Sequence, residues 1–182
     1  MRKLAVFLAL AASCAAPPPQ LTDGARQAFE AWAKAASSGD AEKTLDGFSD
    51  ANKSQWLFDR LNENDSRARQ WRGALTGEPR TRLDLWWGQA LKNGNGRDEP
   101  LNGFVLGHPS FLQLFREFFV AEAKTIQTGL SRAQVTQAYG DATGVTVLVK
   151  SGPGMPVEYY QMIYEGNGWK IDLYKPPPPG GK

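Results

Sequence analysis

The spacing of hydrophobic residues changes once along this chain, near Arg132, and that change limits the possible folds more than any other feature. Before it, hydrophobic residues recur every three or four positions, which is the period of an amphipathic helix. After it they alternate with polar residues, as Val145, Val147 and Val149 do, which is typical of strands with one buried face. Helices followed by consecutive strands indicate an α+β domain, with N-terminal helices packed on one face of a curved antiparallel sheet.

Six helices are expected before the change of period, and cap residues mark their limits. Thr22 or Asp23 suits the N-cap of the first helix, Asp40 that of the second, and Ser49 or Asp50 that of the third. Pro109 suits the first turn of the last helix. The segment 77–79 (Gly-Glu-Pro) is expected to end the fourth helix. The buried faces of the six are expected to include, in chain order, Ala25, Phe29, Trp32, Ala33 and Ala36; Leu45 and Phe48; Leu57, Phe58 and Leu61; Ala68, Trp71 and Leu75; Leu83, Trp86, Trp87, Ala90 and Leu91; Phe111, Leu114, Phe115, Phe118 and Phe119.

Four runs with a period of two are expected to form strands, at about 132–139, 143–150, 156–164 and 168–174. Short glycine-containing turns separate them, which suits antiparallel neighbours. The sheet is therefore predicted to be a four-stranded meander. In its last strand, alternation places Trp169, Ile171 and Leu173 toward the helices and Asp172 toward solvent.

The N-terminus has the parts of an export signal. Residues 1–3 are cationic, and residues 4–12 form an apolar run that is too short to span a bilayer as a helix. Small residues then lead to Cys14, which is the only cysteine of the chain. Residues 15–20 are rich in Ala and Pro and favour an extended tether. The chain is therefore expected to be exported.

The segment Ala12-Ser13-Cys14 resembles the lipobox of bacterial lipoproteins. The resemblance implies that the signal is cut before Cys14 and that this thiol carries the lipid. The alternative is cleavage by ordinary signal peptidase, which would leave a free soluble protein. The expected location is the bacterial cell envelope, lipid-anchored and facing the periplasm or the cell exterior. The expected organisation is a signal peptide at 1–13, the acylated cysteine and a Pro-rich tether at 14–20, one α+β domain at 21–175, and a disordered Pro/Gly-rich tail at 176–182.

Charge and residue counts exclude several function classes. Once Arg2 and Lys3 leave with the signal, 19 of the 21 Lys and Arg remain, equal to the 19 Asp and Glu. A neutral chain has no electrostatic basis for binding nucleic acid. The single histidine, His108, excludes His-paired metal centres, and the single cysteine excludes an internal disulfide. Motifs for phosphate-binding loops and for zinc proteases are missing, so neither a metal nor a cofactor is expected.

Three segments carry a second resemblance. Ser38-Gly39-Asp40 stands between the first two expected helices, Phe48-Ser49-Asp50 follows, and a final hairpin runs from Tyr159 to Leu173. Together they resemble the nuclear transport factor 2-like superfamily, the cystatin-like cone, over about residues 22–54 and 132–174. The resemblance implies a pocket between helices and sheet, in which the superfamily's enzymes bury an acid or a base. Many exported bacterial lipoproteins of unknown function resemble this arrangement.

Several polar and aromatic residues could line such a pocket. The tryptophans and the histidine among them also have simpler interpretations. The tryptophans can fill the core instead of forming a groove for sugars, and the histidine can lie at the entry of a helix. No paired carboxylates converge at a readable spacing, so no catalytic residue is assigned. The possible pocket-lining residues are Trp71, Asp84, Trp86, Trp87, His108, Tyr139 and Tyr160, and Tyr164 and Asp172 are further candidates for an acid or base.

Two functions from different classes follow. The first is a membrane-tethered, non-catalytic domain that binds an envelope protein or a small ligand. The second is a small-molecule enzyme or carrier that uses the cone pocket. A pocket with a buried, unpaired Asp or Tyr would favour the enzyme, and a filled cone with an exposed apolar patch would favour a protein partner.

Overall fold

The structure is a computed structural model that describes residues 19–174, apart from the side chains of residues 19–20 and 122–128. Cys14, the expected signal, most of the expected tether and the expected tail at 176–182 lie outside the described residues. Within them, helices come first and strands second, as expected. The helices are α1 Pro19–Ser38, α2 Ala41–Asp46, α3 Asp50–Asn62, α4 Ser66–Ala74, α5 Gly77–Asn93, α6 Gly103–Leu106 and α7 Pro109–Leu130; the strands are β1 Gln134–Asp141, β2 Gly144–Lys150, β3 Val157–Glu165 and β4 Gly168–Ile171.

The expected N-caps of α2 and α3 are confirmed. The Asp40 carboxylate accepts a hydrogen bond from the N–H of Lys43 at 3.1 Å, and the Ser49 hydroxyl accepts one from the N–H of Asn52 at 3.0 Å. Each bond satisfies an N–H that the first turn of a helix leaves without a backbone partner. Helix α7 begins at Pro109, also as expected.

Two helix limits differ from the sequence prediction. Helix α1 begins at Pro19, before the expected cap at Thr22 or Asp23. Proline is tolerated there because the N–H that it lacks would have no backbone acceptor in the first turn of a helix. The segment 77–79 begins α5 instead of ending α4, and Pro79 lies in the first turn of α5 for the same reason. Helix α6 was not predicted, because a four-residue helix is too short to show a hydrophobic period.

The sheet is the predicted antiparallel meander, with strand order β1-β2-β3-β4. The outer edge of β4 pairs with the α2–α3 junction through two hydrogen bonds. The N–H of Ile171 donates to the carbonyl of Gly47 at 2.7 Å, and the N–H of Ser49 donates to the carbonyl of Ile171 at 2.9 Å. The start of α3 is therefore fixed beside the end of the sheet.

The prediction for the last strand is wrong at its end. Asp172 is 2% exposed and Leu173 is 51% exposed, the reverse of what alternation predicts. The strand ends at Ile171, so side chains beyond it no longer alternate between the two faces. The N–H of Leu173 donates to Asn52 Oδ1 at 2.8 Å, and Arg97 Nη2 lies 2.8 Å from Asp172 Oδ2. Trp169 is half-buried against the core, and Ile171 is fully buried.

The core lies between the helices and the inner face of the sheet. Val145, Val147 and Val149 of β2 are fully buried there, with Met162 of β3 beside them. Phe29 of α1 is among the largest buried side chains of the same core. None of the helices within residues 19–174 is long and apolar enough to cross a membrane.

Candidate ligand-binding cavity

A cavity of about 360 Å³ opens between the helices and the sheet. Its walls come from α1, α2, α3, α7, β3 and the segment after β4. That volume lies within the range of about 300–1,000 Å³ that is typical of small-molecule sites. The cavity is lined by Trp32, Thr44, Leu45, Phe48, Asn52, Lys53, Trp56, Arg60, Phe115, Phe118, Phe119, Gly129, Leu130, Glu158, Tyr160, Leu173 and Tyr174.

Eight of the 17 lining residues are aromatic, and their rings hold one another in place. Trp56 of α3 packs edge-to-face against Phe115 and Phe118 of α7, with ring centroids 5.6 and 5.3 Å apart. On the opposite side, the ring centroid of Tyr160 of β3 lies 6.0 Å from that of Trp32 of α1. Edge-to-face pairs prefer defined geometries, so these walls are set before any ligand arrives.

Helical spacing explains why α7 supplies three of these rings. Phe115, Phe118 and Phe119 are separated by three and four residues, so they lie on one face of the helix. On α3, Lys53, Trp56 and Arg60 also share a face, because they are three and seven residues apart. The α3 face places two cations beside an aromatic ring on the cavity wall.

Tyr160 is a predicted pocket residue of acid–base type that does line the cavity. Its hydroxyl donates to Glu158 Oε2 at 3.1 Å, so it is not unpaired. Burial, with a smaller contribution from the Glu158 carboxylate, raises the pKa of the Tyr160 hydroxyl above its usual value. The hydroxyl therefore stays protonated at neutral pH, where it can donate a hydrogen bond but cannot serve as a base.

The structure does not bring the predicted tryptophans together in one groove. Trp71 and Trp86 are each 8% exposed and belong to the core. Trp71 borders a hollow of about 260 Å³ next to Ser110, and Trp86 borders a separate, more open groove. Trp87 is half-buried and packs against Phe58, with ring centroids 5.5 Å apart. None of the three lines the aromatic cavity.

Asp84 and His108 also lie outside the cavity, and each has local partners. The Asp84 carboxylate binds the guanidinium groups of Arg72 and Arg80. Burial acts to raise the pKa of Asp84, but these two arginines outweigh it and hold the pKa below its usual value. His108 Nδ1 lies 2.7 Å from the Ser110 hydroxyl and accepts the Ser110 N–H at 3.3 Å. The histidine thus binds the first turn of α7.

The remaining predicted residues are on other surfaces. Tyr139 of β1 is opposite Thr146, and this pairing puts it on the sheet face away from Tyr160. Tyr164 is 57% exposed at the end of β3. Asp172 is paired with Arg97 and does not line the cavity. Of the predicted pocket residues, the structure therefore places Tyr160 in the cavity and the others outside it.

Sequence analysis missed most of the cavity walls. Trp56 was not singled out, and the three phenylalanines of α7 were assigned to the core without a cavity beside them. A usable signal was the face of α3, where Lys53 and Arg60 flank Trp56 on a side that also packs inward. Charged residues on an inward face indicate that the face meets a space open to solvent.

Comparison of the chain with protein-family models, with curated proteins and with solved structures found no match. Residues 19–174 also contain no group of three or more His, Cys, Asp or Glu side chains that could hold a metal ion. The argument for function therefore depends on the cavity and its walls.

Proposed function

We propose that this chain is an exported, lipid-anchored protein of the bacterial envelope whose domain, a nuclear transport factor 2-like cone, binds a small and mainly apolar molecule without transforming it. The observation that carries the proposal is the open aromatic cavity between helices and sheet. A filled cone would have favoured a protein partner instead. The helix-then-meander order supports the cone assignment, and the signal with Cys14 supports the anchor.

The composition of the walls indicates the kind of ligand. Apolar and aromatic side chains dominate, and a few polar groups are placed among them, as in most small-molecule sites. Rings that are already packed against each other lose little freedom when a ligand binds, so less binding energy is lost to ordering the site. An apolar molecule would gain from leaving water for such a cavity.

Binding without chemistry is favoured by the state of the polar groups. Tyr160 is protonated and hydrogen-bonded to Glu158, and the single histidine of the chain, His108, lies outside the cavity. General acid–base catalysis needs a group that exchanges protons near the working pH. If the chain were an enzyme that used the Tyr160–Glu158 pair, Tyr160→Phe together with Glu158→Gln would abolish its activity while ligand binding persists.

The test is titration of the purified full chain with N-phenyl-1-naphthylamine, a neutral probe that fluoresces in apolar surroundings. We expect saturable binding with one site per chain. Leu45→Trp fills the cavity from a wall residue that is 6% exposed, and should weaken probe binding at least about tenfold. Leu91→Trp makes the same change at a site that is 49% exposed on α5, and should leave binding unchanged.

Circular dichroism and thermal unfolding report whether each variant is folded. If Leu45→Trp does not fold, it is replaced by Leu130→Trp, at a different wall position that is half-buried. Equal probe binding by the wild type and by folded cavity-filling variants would contradict the proposal, and so would the absence of binding to the wild type.

A further inference from the structure

The charged groups on the cavity wall are unequal in sign and in burial. Among the described side chains of the wall, Lys53 and Arg60 contribute two positive charges and Glu158 contributes one negative charge. The Lys53 side chain is 14% exposed, whereas Glu158 is exposed and already accepts the Tyr160 hydroxyl. Water screens an exposed charge more strongly than a buried one. The described wall therefore offers more charged hydrogen-bond donors to an anion than charged acceptors to a cation.

The acidic partners that the described residues give to Lys53 and Arg60 lie outside the cavity wall. Lys53 Nζ is 3.1 Å from Asp50 Oδ1, and the carboxylate of Asp50 is 39% exposed. Glu165 is bound to the N–H of Asp50 at the start of the same helix and adds a second negative charge near Lys53. Arg60 Nη1 is 3.5 Å from Glu63, which is 64% exposed. An ammonium group has three N–H donors, so Lys53 keeps donors for a ligand after it binds Asp50.

Asn52 provides a second donor next to Lys53. Its Oδ1 accepts the N–H of Leu173 at 2.8 Å, which fixes the orientation of the amide. The residue is 3% exposed and lines the cavity, and within the described residues no group accepts a hydrogen bond from its Nδ2. This nitrogen is not among the buried polar atoms, so it can donate a hydrogen bond to a ligand oxygen.

We infer that the ligand is a monoanionic amphiphile, whose apolar body lies between the aromatic walls and whose carboxylate accepts hydrogen bonds from Lys53 and Asn52. The inference rests on the proposed ligand-binding function and deepens it. A hydrogen bond to a charged group contributes more than one between neutral groups. The carboxylate therefore supplies affinity and also fixes which end of the ligand enters first.

The experiment compares three ligands with the same ten-carbon chain: decanoate, decanol and decylamine. Each displaces N-phenyl-1-naphthylamine from the purified full chain at neutral pH in detergent-free buffer. We expect decanoate to bind at least about tenfold more tightly than decylamine. Lys53→Met should weaken decanoate binding about tenfold and change decanol binding less than about twofold, and Lys53→Arg should retain the preference.

Lys43→Met is the matched control, because Lys43 also pairs with an aspartate three residues earlier, at 3.0 Å, but is 77% exposed and outside the cavity. Lys43→Met should change the affinity for neither decanoate nor decanol. Asn52→Leu should also weaken the binding of decanoate more than the binding of decanol. Equal effects of Lys53→Met on both ligands, or tightest binding of decylamine, would overturn the inference and leave the proposed function standing. Failure of the neutral probe to bind would overturn both.

Discussion

Asp172 is the residue whose environment differs most from its sequence context. It is a charged residue directly after a strand, yet its side chain is 3% exposed and paired with Arg97. The Arg97 side chain is 25% exposed, and its Nη1 is buried without a partner among the described residues. The pair ties the loop after α5 to the end of the sheet, and removal of one charge would leave the other poorly compensated.

Asp172→Ala should therefore destabilise the protein strongly. Loss of one partner of a buried pair costs about 3–5 kcal/mol, and the partial exposure of Arg97 places the expected value near the lower end. Leu173→Ala, one residue later, should cost about 1 kcal/mol or less, because that side chain is 51% exposed. Urea unfolding of the two variants measures the difference.

The double variant Asp172→Ala with Arg97→Met separates the charge from the packing. It should recover part of the stability that Asp172→Ala loses, since it no longer contains an uncompensated buried charge. If Leu173→Ala were the more damaging of the two single variants, the end of β4 would continue the strand alternation and this assignment would be wrong.

Helix α3 connects the fold to the cavity. Its N-cap, Ser49, pairs with β4, and its inward face carries Lys53, Trp56 and Arg60. The position of that face depends on the start of the helix, which the sheet edge holds. The following helix, α4, begins at its own N-cap, Asp65.

Asp65 should stabilise the start of α4 through its carboxylate. Its Oδ1 accepts the N–H groups of Arg67 and Ala68 at 2.8 and 3.3 Å. We expect Asp65→Ala to lower the free energy of unfolding by about 1 kcal/mol at pH 7, and Asp65→Asn to lower it less, because Asn can cap in the same way. Chemical denaturation of the three proteins tests this order, and equal stability of all three would contradict it.

The same cap predicts a dependence on pH. Burial acts to raise the pKa of Asp65, but the hydrogen bonds from Ala68 and Arg67 outweigh it, so the pKa lies below its usual value. A carboxyl group with a lowered pKa stabilises the fold above its unfolded pKa of about 3.9. That contribution disappears as the pH falls through the folded pKa. The difference in stability between wild type and Asp65→Ala should therefore shrink below about pH 4, and a difference that grows there would contradict the assignment.

The whole molecule combines an α+β domain with an expected lipid anchor at its N-terminus. Tethering would hold the cavity near the membrane, where amphiphiles concentrate, and would raise the effective concentration of ligand at its mouth. The anchor and the cavity can be tested separately, because Cys14 lies outside the described residues and the cavity lies within them.

Cys14→Ala should abolish labelling by a fatty-acid analogue in a bacterial host and move the protein from the membrane fraction to the soluble fraction. If Cys14 carries the lipid anchor, its replacement leaves no thiol to acylate, so the protein should be released. Ser13→Ala leaves the cysteine in place and serves as the control, with labelling and fractionation unchanged. A wild type that stays in the membrane without any label would contradict the lipid anchor.

Local sequence was sufficient for the order of elements and for several of their limits. Asp40, Ser49 and Pro109 mark helix starts through contacts with the next few residues, so they can be read along the chain. The four-stranded meander follows equally from alternation and short turns, since neighbouring strands lie close in sequence. The α+β class was predictable for this reason.

The cavity and the burial of Asp172 required the folded chain. Trp56 and Phe118 are 62 residues apart in sequence but only 5.3 Å apart between ring centroids, and Arg97 reaches Asp172 across 75 residues. No local period predicts which apolar faces will meet, or whether they will leave a space between them. Such contacts depend on the packing of all the elements at once, and for that reason most residues that line the cavity were absent from the sequence prediction.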